Sequence, residues 1–167
     1  MIFRFENSPI MDRDDLMEIL FYHLELSPLE KVLPILLEKT LERGWRAGVE
    51  VGSEEKAKDL DAILWTFNNE SFLAHAIAGA KDDNEQPILI TTDENNQNSA
   101  NVRFFVAGKT PELKIDYAKD YERIVFMFDG HDPNIVEQAR NVWRKLKDDN
   151  DLTYWQQDAS GRWIKKA

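Results

Sequence analysis

Apolar residues crowd the segment Glu18-Ile-Leu-Phe-Tyr-His-Leu24 almost without interruption, the pattern of a strand buried on both faces. The spacing then changes. Leu29, Val32, Leu33, Leu36, Leu37 and Leu41 recur at helical intervals. They predict a helix opened by the capping-box sequence Ser27-Pro28-Leu29-Glu30, with proline at the first helical position, and ended by Gly44. Pro34 inside it removes one hydrogen bond, at about 3 kcal/mol in an isolated helix, so burial of the leucine stripe must outweigh it or the helix kinks. Residues 46–51 read as a second strand, after which Ser53 caps a helix through Ala57, Leu60 and Leu64 to Trp65. Short strands are predicted at 88–91, 102–106 and 124–128, with a polar, asparagine-rich loop at 93–100. Asp132 and Pro133 open a last helix through Ile135, Ala139, Val142 and Leu146. The tail, 152–164, carries two aromatic clusters around Asp158-Ala-Ser-Gly161, the pattern of a hairpin.

Strand and helix alternate from the start, which predicts an α/β fold: a mostly parallel central sheet between layers of helices. No repeat or linker divides residues 17–167, which read as one domain. Residues 1–16 have no clear period, mix charges and include Pro9, so they are expected to be a loosely ordered extension.

The 167 residues are 43% hydrophobic and 11% aromatic, enough to bury a core. Cysteine is absent, which excludes disulfides and thiolate metal or redox sites. No apolar run approaches a membrane span and no signal-peptide stretch is present, so a cytoplasmic location is expected. Net charge is −10, with 31 acidic against 21 basic residues. Such a chain is repelled on average by nucleic acid, and strong direct DNA binding is not expected. A local basic patch on that background points to an acidic partner.

An α/β chain invites a nucleotide-binding reading, which the loop after the first strand disfavours. Glu25-Leu-Ser-Pro-Leu-Glu30 has no glycine, two carboxylates and a proline without an N–H, and no GxxxxGK[ST] motif occurs anywhere. No cofactor is expected. His23, His75 and His131 are far apart and lack metal-ligand spacing. Asp129-Gly-His131-Asp132 follows a strand where α/β enzymes place their chemistry. It reads either as a metal or acid–base site, or as a turn followed by Asp132 capping the helix ahead of Pro133. Ser71 and Ser160 have no neighbouring base that would mark a nucleophile.

Several segments together resemble the DNA polymerase III chi subunit family: Phe21-Tyr22-His23-Leu24, Ser27-Pro-Leu-Glu30, Glu42-Arg-Gly44 with Arg46, and Ser53-Glu-Glu55 followed by Leu60-Asp61 and Leu64-Trp65. Glu70-Ser-Phe72 with His75, and Ala139-Arg140 with Trp143, complete the set, which spans residues 17–147. The resemblance implies a Rossmann-like three-layer fold without a nucleotide-binding loop. It implies a non-catalytic subunit of the polymerase holoenzyme that links the clamp loader to the acidic, phenylalanine-ended C-terminal tail of single-stranded-DNA-binding protein. By that resemblance the tail site maps to Arg140, Trp143 and Arg144. Trp65 and Phe72 fall in the region that contacts a psi subunit, or another clamp-loader or helicase partner. Two positions depart from the family's habit: Val136 stands where a basic residue is frequent, and Ala74 where proline is frequent.

The last helix draws attention on its own account. Ile135, Ala139, Val142 and Leu146 form its core stripe; Arg140, Arg144 and Lys147 form an adjoining stripe at i, i+4 and i+7, with Trp143 and Val136 at the border. A cationic row beside an apolar border suits a ligand with carboxylates and one hydrophobic side chain. The alternative is a solvated face near the negative end of the helix dipole. Trp65 and Phe72 likewise read either as core or as interface anchors flanking the polar turn at 68–70. Two further functional readings stand beside the adaptor: a metal-dependent Rossmann-like enzyme using Asp129–Asp132, and an interaction domain of another assembly.

Overall fold

The computed structural model describes residues 16–67, 72–113 and 116–167. The predicted extension, up to residue 15, lies outside them. Met17 already belongs to the core, at 7% exposure.

Eight strands form one sheet: β1 (Glu18–Leu24), β2 (Ala47–Glu50), β3 (His75–Ile77), β4 (Ile88–Thr91), β5 (Val102–Phe105), β6 (Arg123–Asp129), β7 (Asp151–Gln157) and β8 (Trp163–Lys165), in the order β3-β4-β2-β5-β6-β1-β7-β8. Every pairing is parallel except β7 with β8. The tail hairpin is therefore present, and its first strand extends the parallel sheet beside β1. The α-helices among the described residues are α1 (Leu29–Glu42), α2 (Glu54–Thr66) and α3 (Pro133–Leu146). The mostly parallel α/β fold expected from the alternation of elements is what the chain adopts.

Alternation along the strands separates two cores. Val49, Ile90, Phe104, Val125 and Met127 point to the face covered by α1 and α2, where they meet Leu33, Leu37, Leu60 and Leu64. Ile19, Phe21, Phe105, Ile124, Phe126 and Phe128 point to the opposite face, against Val136, Ala139 and Val142 of α3.

Three local readings need correcting. Ser27 does not cap α1: the N-cap is Pro28, with no side-chain cap bond, and Ser27 Oγ instead accepts from Gln157 Nε2 at 3.0 Å while its amide donates to Gln157 Oε1 at 3.0 Å. A tertiary contact with the hairpin has displaced the local one. Val136 is buried, not at the border of its helix. β3 was not anticipated, because three residues give too short a pattern to read. Other local signals act as written. Gly44, at φ +80°, closes α1 with paired bonds, Gly44 N–H to Leu41 O and Trp45 N–H to Thr40 O. Ser53 caps α2 through the Lys56 amide. Pro34 is itself buried, and full burial of Leu33 and Leu37, about 1.5–3 kcal/mol each, offsets its missing hydrogen bond.

One polar cluster lies inside the sheet. Arg103 on β5 donates to Glu50 Oε1 of β2 at 2.6 Å, with side-chain exposures of 2% and 3%. Its remaining N–H groups hold the 93–100 loop through Asp93 O and Asn95 O. Gly48 makes the room: a Cβ there would lie 2.9 Å from an Arg103 guanidinium nitrogen.

Candidate protein-binding surfaces

The cationic helix is positioned by its own N-terminus. Asp132 accepts from the Asn134 and Ile135 amides, and Pro133 opens α3 with its fixed φ and without an N–H to satisfy. Asp132 thus serves as a cap. His131 and Asp129 bond to each other in the same turn, with the ring Nδ1 at 3.1 Å, and both stand out in solvent. Among the described residues no group of three His, Cys, Asp or Glu side chains is placed to hold a metal ion.

With Val136, Ala139 and Val142 turned into the core, Arg140, Arg144 and Lys147 face outward. Glu137 bridges the first two, 3.6 Å from Arg140 and 3.5 Å from Arg144, and Arg144 also donates to Asn141 at 2.6 Å. All three ionic side chains are more than half exposed, so these pairs contribute little stability. What they do is hold two guanidiniums side by side around one carboxylate, which an incoming carboxylate can replace. Trp143 is half-buried, its ring edge-on to Phe21 at 5.2 Å and to Tyr154 at 5.9 Å.

Tyr154 belongs to this surface although its sequence position gave no hint of it. Burial pushes its phenol up from the ordinary value, while the nearby Arg140 charge pulls it back and Glu25 pushes it further up. Its hydroxyl meets Nδ1 of the buried His23 at 2.6 Å. His23 Nε2 lies 2.7 Å from Glu25 Oε1 but without the alignment of a hydrogen bond. The aromatic content of the tail was the available signal; its parallel pairing beside β1 was not readable.

The second surface lies at the end of α2. Trp65 and Phe72 are 57% and 73% exposed, with ring centroids 5.8 Å apart. Trp65 also rests on His75, centroids 4.8 Å apart, and His75 is fixed by Leu73 O and by Asp61 Oδ1 at 3.1 Å. Residues 68–71, between them, lie outside the described residues. Two large aromatic side chains that touch each other in water, braced by a buried imidazole, have the character of interface anchors. Of the predicted site residues, Arg140, Trp143 and Arg144 share one surface, with Val136 beneath them and Lys147 one turn further on. Trp65 and Phe72 form another. The two lie on opposite faces of the sheet, over β6–β1 and beside β3–β4.

A cavity of about 370 Å³ opens at the carboxyl ends of β1 and β6. Leu24, Leu29, Met127 and Ile135 supply apolar wall, and Glu25, Glu30 and Asp129 stand around it. Gly108, Lys109 and His131 line it as well, so its wall is of mixed charge.

A family model described as DNA polymerase III chi subunit, HolC, matches residues 16–152. The chain is 24% identical over 150 residues to a protein of Rickettsia prowazekii named probable DNA polymerase III subunit chi, covering 87% of this chain and 90% of that one. It is 26% identical over 107 residues to the DNA polymerase III subunit chi of Pseudomonas aeruginosa, covering 62% and 70% respectively.

Proposed function

This chain belongs to the DNA polymerase III chi subunit family, and we propose that it is a non-catalytic adaptor joining the clamp loader to single-stranded-DNA-binding protein during replication. The observation that carries this reading is the pair of exposed, chemically different surfaces on opposite faces of one rigid sheet: cations with a tryptophan on α3, and two touching aromatics at the end of α2. An adaptor must hold two partners at once, and these surfaces do not compete for space.

On this reading the acidic, phenylalanine-ended tail of single-stranded-DNA-binding protein lies along α3. Its carboxylates displace Glu137 from Arg140 and Arg144, Lys147 attracts the preceding acidic residues, and its aromatic end packs by Trp143 over Val136. Charge-assisted bonds to two fixed guanidiniums supply specificity, and the apolar contact supplies the anchor. Trp65 and Phe72 take a psi subunit or another clamp-loader or helicase partner. The protein works in the cytoplasm; none of the described helices is long and apolar enough to cross a membrane.

The deciding experiment is titration of a fluorescently labelled tail peptide into the full chain. Saturable binding, weakened by salt and lost when the terminal phenylalanine is removed, supports the assignment. Equal binding of a scrambled acidic peptide would sink it.

A further inference from the structure

Parallel sheets normally have both faces covered. Here α1 and α2 cover one face over β2–β5, and among the described residues no helix of that face lies over β7 and β8. Between α1 and the sheet runs a groove of about 510 Å³. Its floor is Leu20 and Tyr22 of β1, with Phe104 and Val125 beneath, and Leu36 of α1 forms one wall. The apolar surface continues sideways: Tyr22 is edge-on to Trp163, centroids 5.3 Å apart, and lies alongside Trp155 at 6.5 Å. Both indoles are half-buried.

The rim is what separates this groove from the rest of the molecule. Lys39, Arg43 and Arg123 line it against a single carboxylate, Glu42, on a chain whose net charge is −10. Lys39 and Arg43 sit four residues apart on the exposed side of α1, and neither has an ion pair among the described residues. Arg123 is held by Glu18 at 2.6 Å. Trp45 collects both guanidiniums, Arg43 at 3.9 Å and Arg123 at 5.3 Å from its ring centre. Stacking of this kind fixes a guanidinium while leaving its N–H edge free for an anion.

We propose that this groove binds an acidic peptide segment that inserts one bulky apolar side chain between Leu36, Leu20 and Tyr22 while its carboxylates meet Lys39, Arg43 and Arg123. Complementarity of charge selects the occupant. A floor of Leu20 and Tyr22 under a cationic rim, with room for one or two side chains, fits such a segment. A nucleic-acid strand would need free ring faces to stack on, and the rings here are engaged: Tyr22 by Trp155 and Trp163, Trp45 by Arg43 and Arg123. The inference does not depend on the reading of α3, which packs on the other face of the sheet.

The test uses the full chain, isotopically labelled, titrated with the end-blocked peptide Asp-Asp-Leu-Phe-Asp-Asp. The indole N–H signals of Trp45 and Trp163 and the amides of Lys39 and Arg43 should shift saturably, with affinity falling as salt rises. The double variant Lys39→Glu/Arg43→Glu, at exposed positions, should weaken binding at least tenfold with an unchanged melt, whereas Arg140→Ala should leave these shifts as they were. Shifts confined to α3, or equal affinity in the double variant, overturn the proposal. So does tighter binding of a ten-residue oligothymidylate at the same signals, which would make this a nucleic-acid surface. Concentration-dependent shifts without peptide overturn it in favour of self-association.

Discussion

Trp65 and Phe72 touch each other across 5.8 Å while more than half of each side chain faces solvent. Burying either ring against its neighbours would contribute roughly 1.5–3 kcal/mol, and the monomer leaves most of that unrealised. Phe72→Asp should therefore shift stability by no more than about 0.5 kcal/mol, the usual scale for surface substitutions. In pulldown against the purified clamp-loader subunits the variant should lose its partner, and it should keep full affinity for the tail peptide. A cooperative melt lowered by several kcal/mol would show that Phe72 is instead part of the core.

At the other surface, Glu137 already occupies the charges that the tail is proposed to use. Arg140→Ala should weaken tail binding by about 1–3 kcal/mol, the range for a lost charge-assisted hydrogen bond. Glu137→Gln should do the reverse, tightening the peptide by removing a competitor while leaving the helix intact. Isothermal titration of both variants separates the specific site from a merely solvated basic face, on which neither change would alter peptide affinity.

Strands and helices were legible where the residue pattern was long: the run 18–24, the leucine stripe of α1 and the Asp132-Pro133 start of α3. What could not be read was set by contacts distant in sequence. Ser27 has the right neighbours for a cap, yet its hydroxyl and amide are both taken by Gln157, which comes 130 residues later. Tyr154 reaches α3 only because β7 pairs with β1. The groove cations were legible singly, but only the folded sheet brings Arg123 beside Lys39 and Arg43. Arg103 did leave a trace as the lone charge in the otherwise apolar predicted strand 102–106, whereas Glu50 shares the predicted strand 46–51 with Arg46.

That trace marks a strong dependence. Arg103→Leu leaves Glu50 at 2% exposure with Lys109, 3.3 Å away, as its remaining ion-pair partner, and it frees the carbonyls of Asp93 and Asn95. Breaking one half of a buried pair costs about 3–5 kcal/mol. Denaturant melts should show that loss in Arg103→Leu. The double change Glu50→Leu/Arg103→Leu should recover part of it, because no buried charge is then left without its partner. Equal losses in the two variants would mean that the bonds to the loop, and not the ion pair, are what matters.

The four tyrosines give the stability curve a direction at alkaline pH. Burial is the largest influence on Tyr22, Tyr117, Tyr121 and Tyr154, and it pushes all four phenols above the ordinary value of 10.0, with Tyr117 raised to about 12. In the folded chain each keeps its proton at a pH where the unfolded chain has begun to release it. The unfolded state then binds fewer protons, so stability falls as pH rises. The contribution is complete below pH 10 and is lost as pH climbs through the raised folded values. Absorbance at 295 nm should therefore show little phenolate until the chain unfolds, after which phenolate signal and loss of helical circular dichroism should rise together. Tyr117→Phe removes the most displaced of these groups and should flatten the fall above pH 10, although it gives up the bond from the Glu112 amide to the phenol oxygen at 2.9 Å. Reversible ionisation of all four near pH 10 with the circular dichroism unchanged would contradict the buried setting that this prediction rests on.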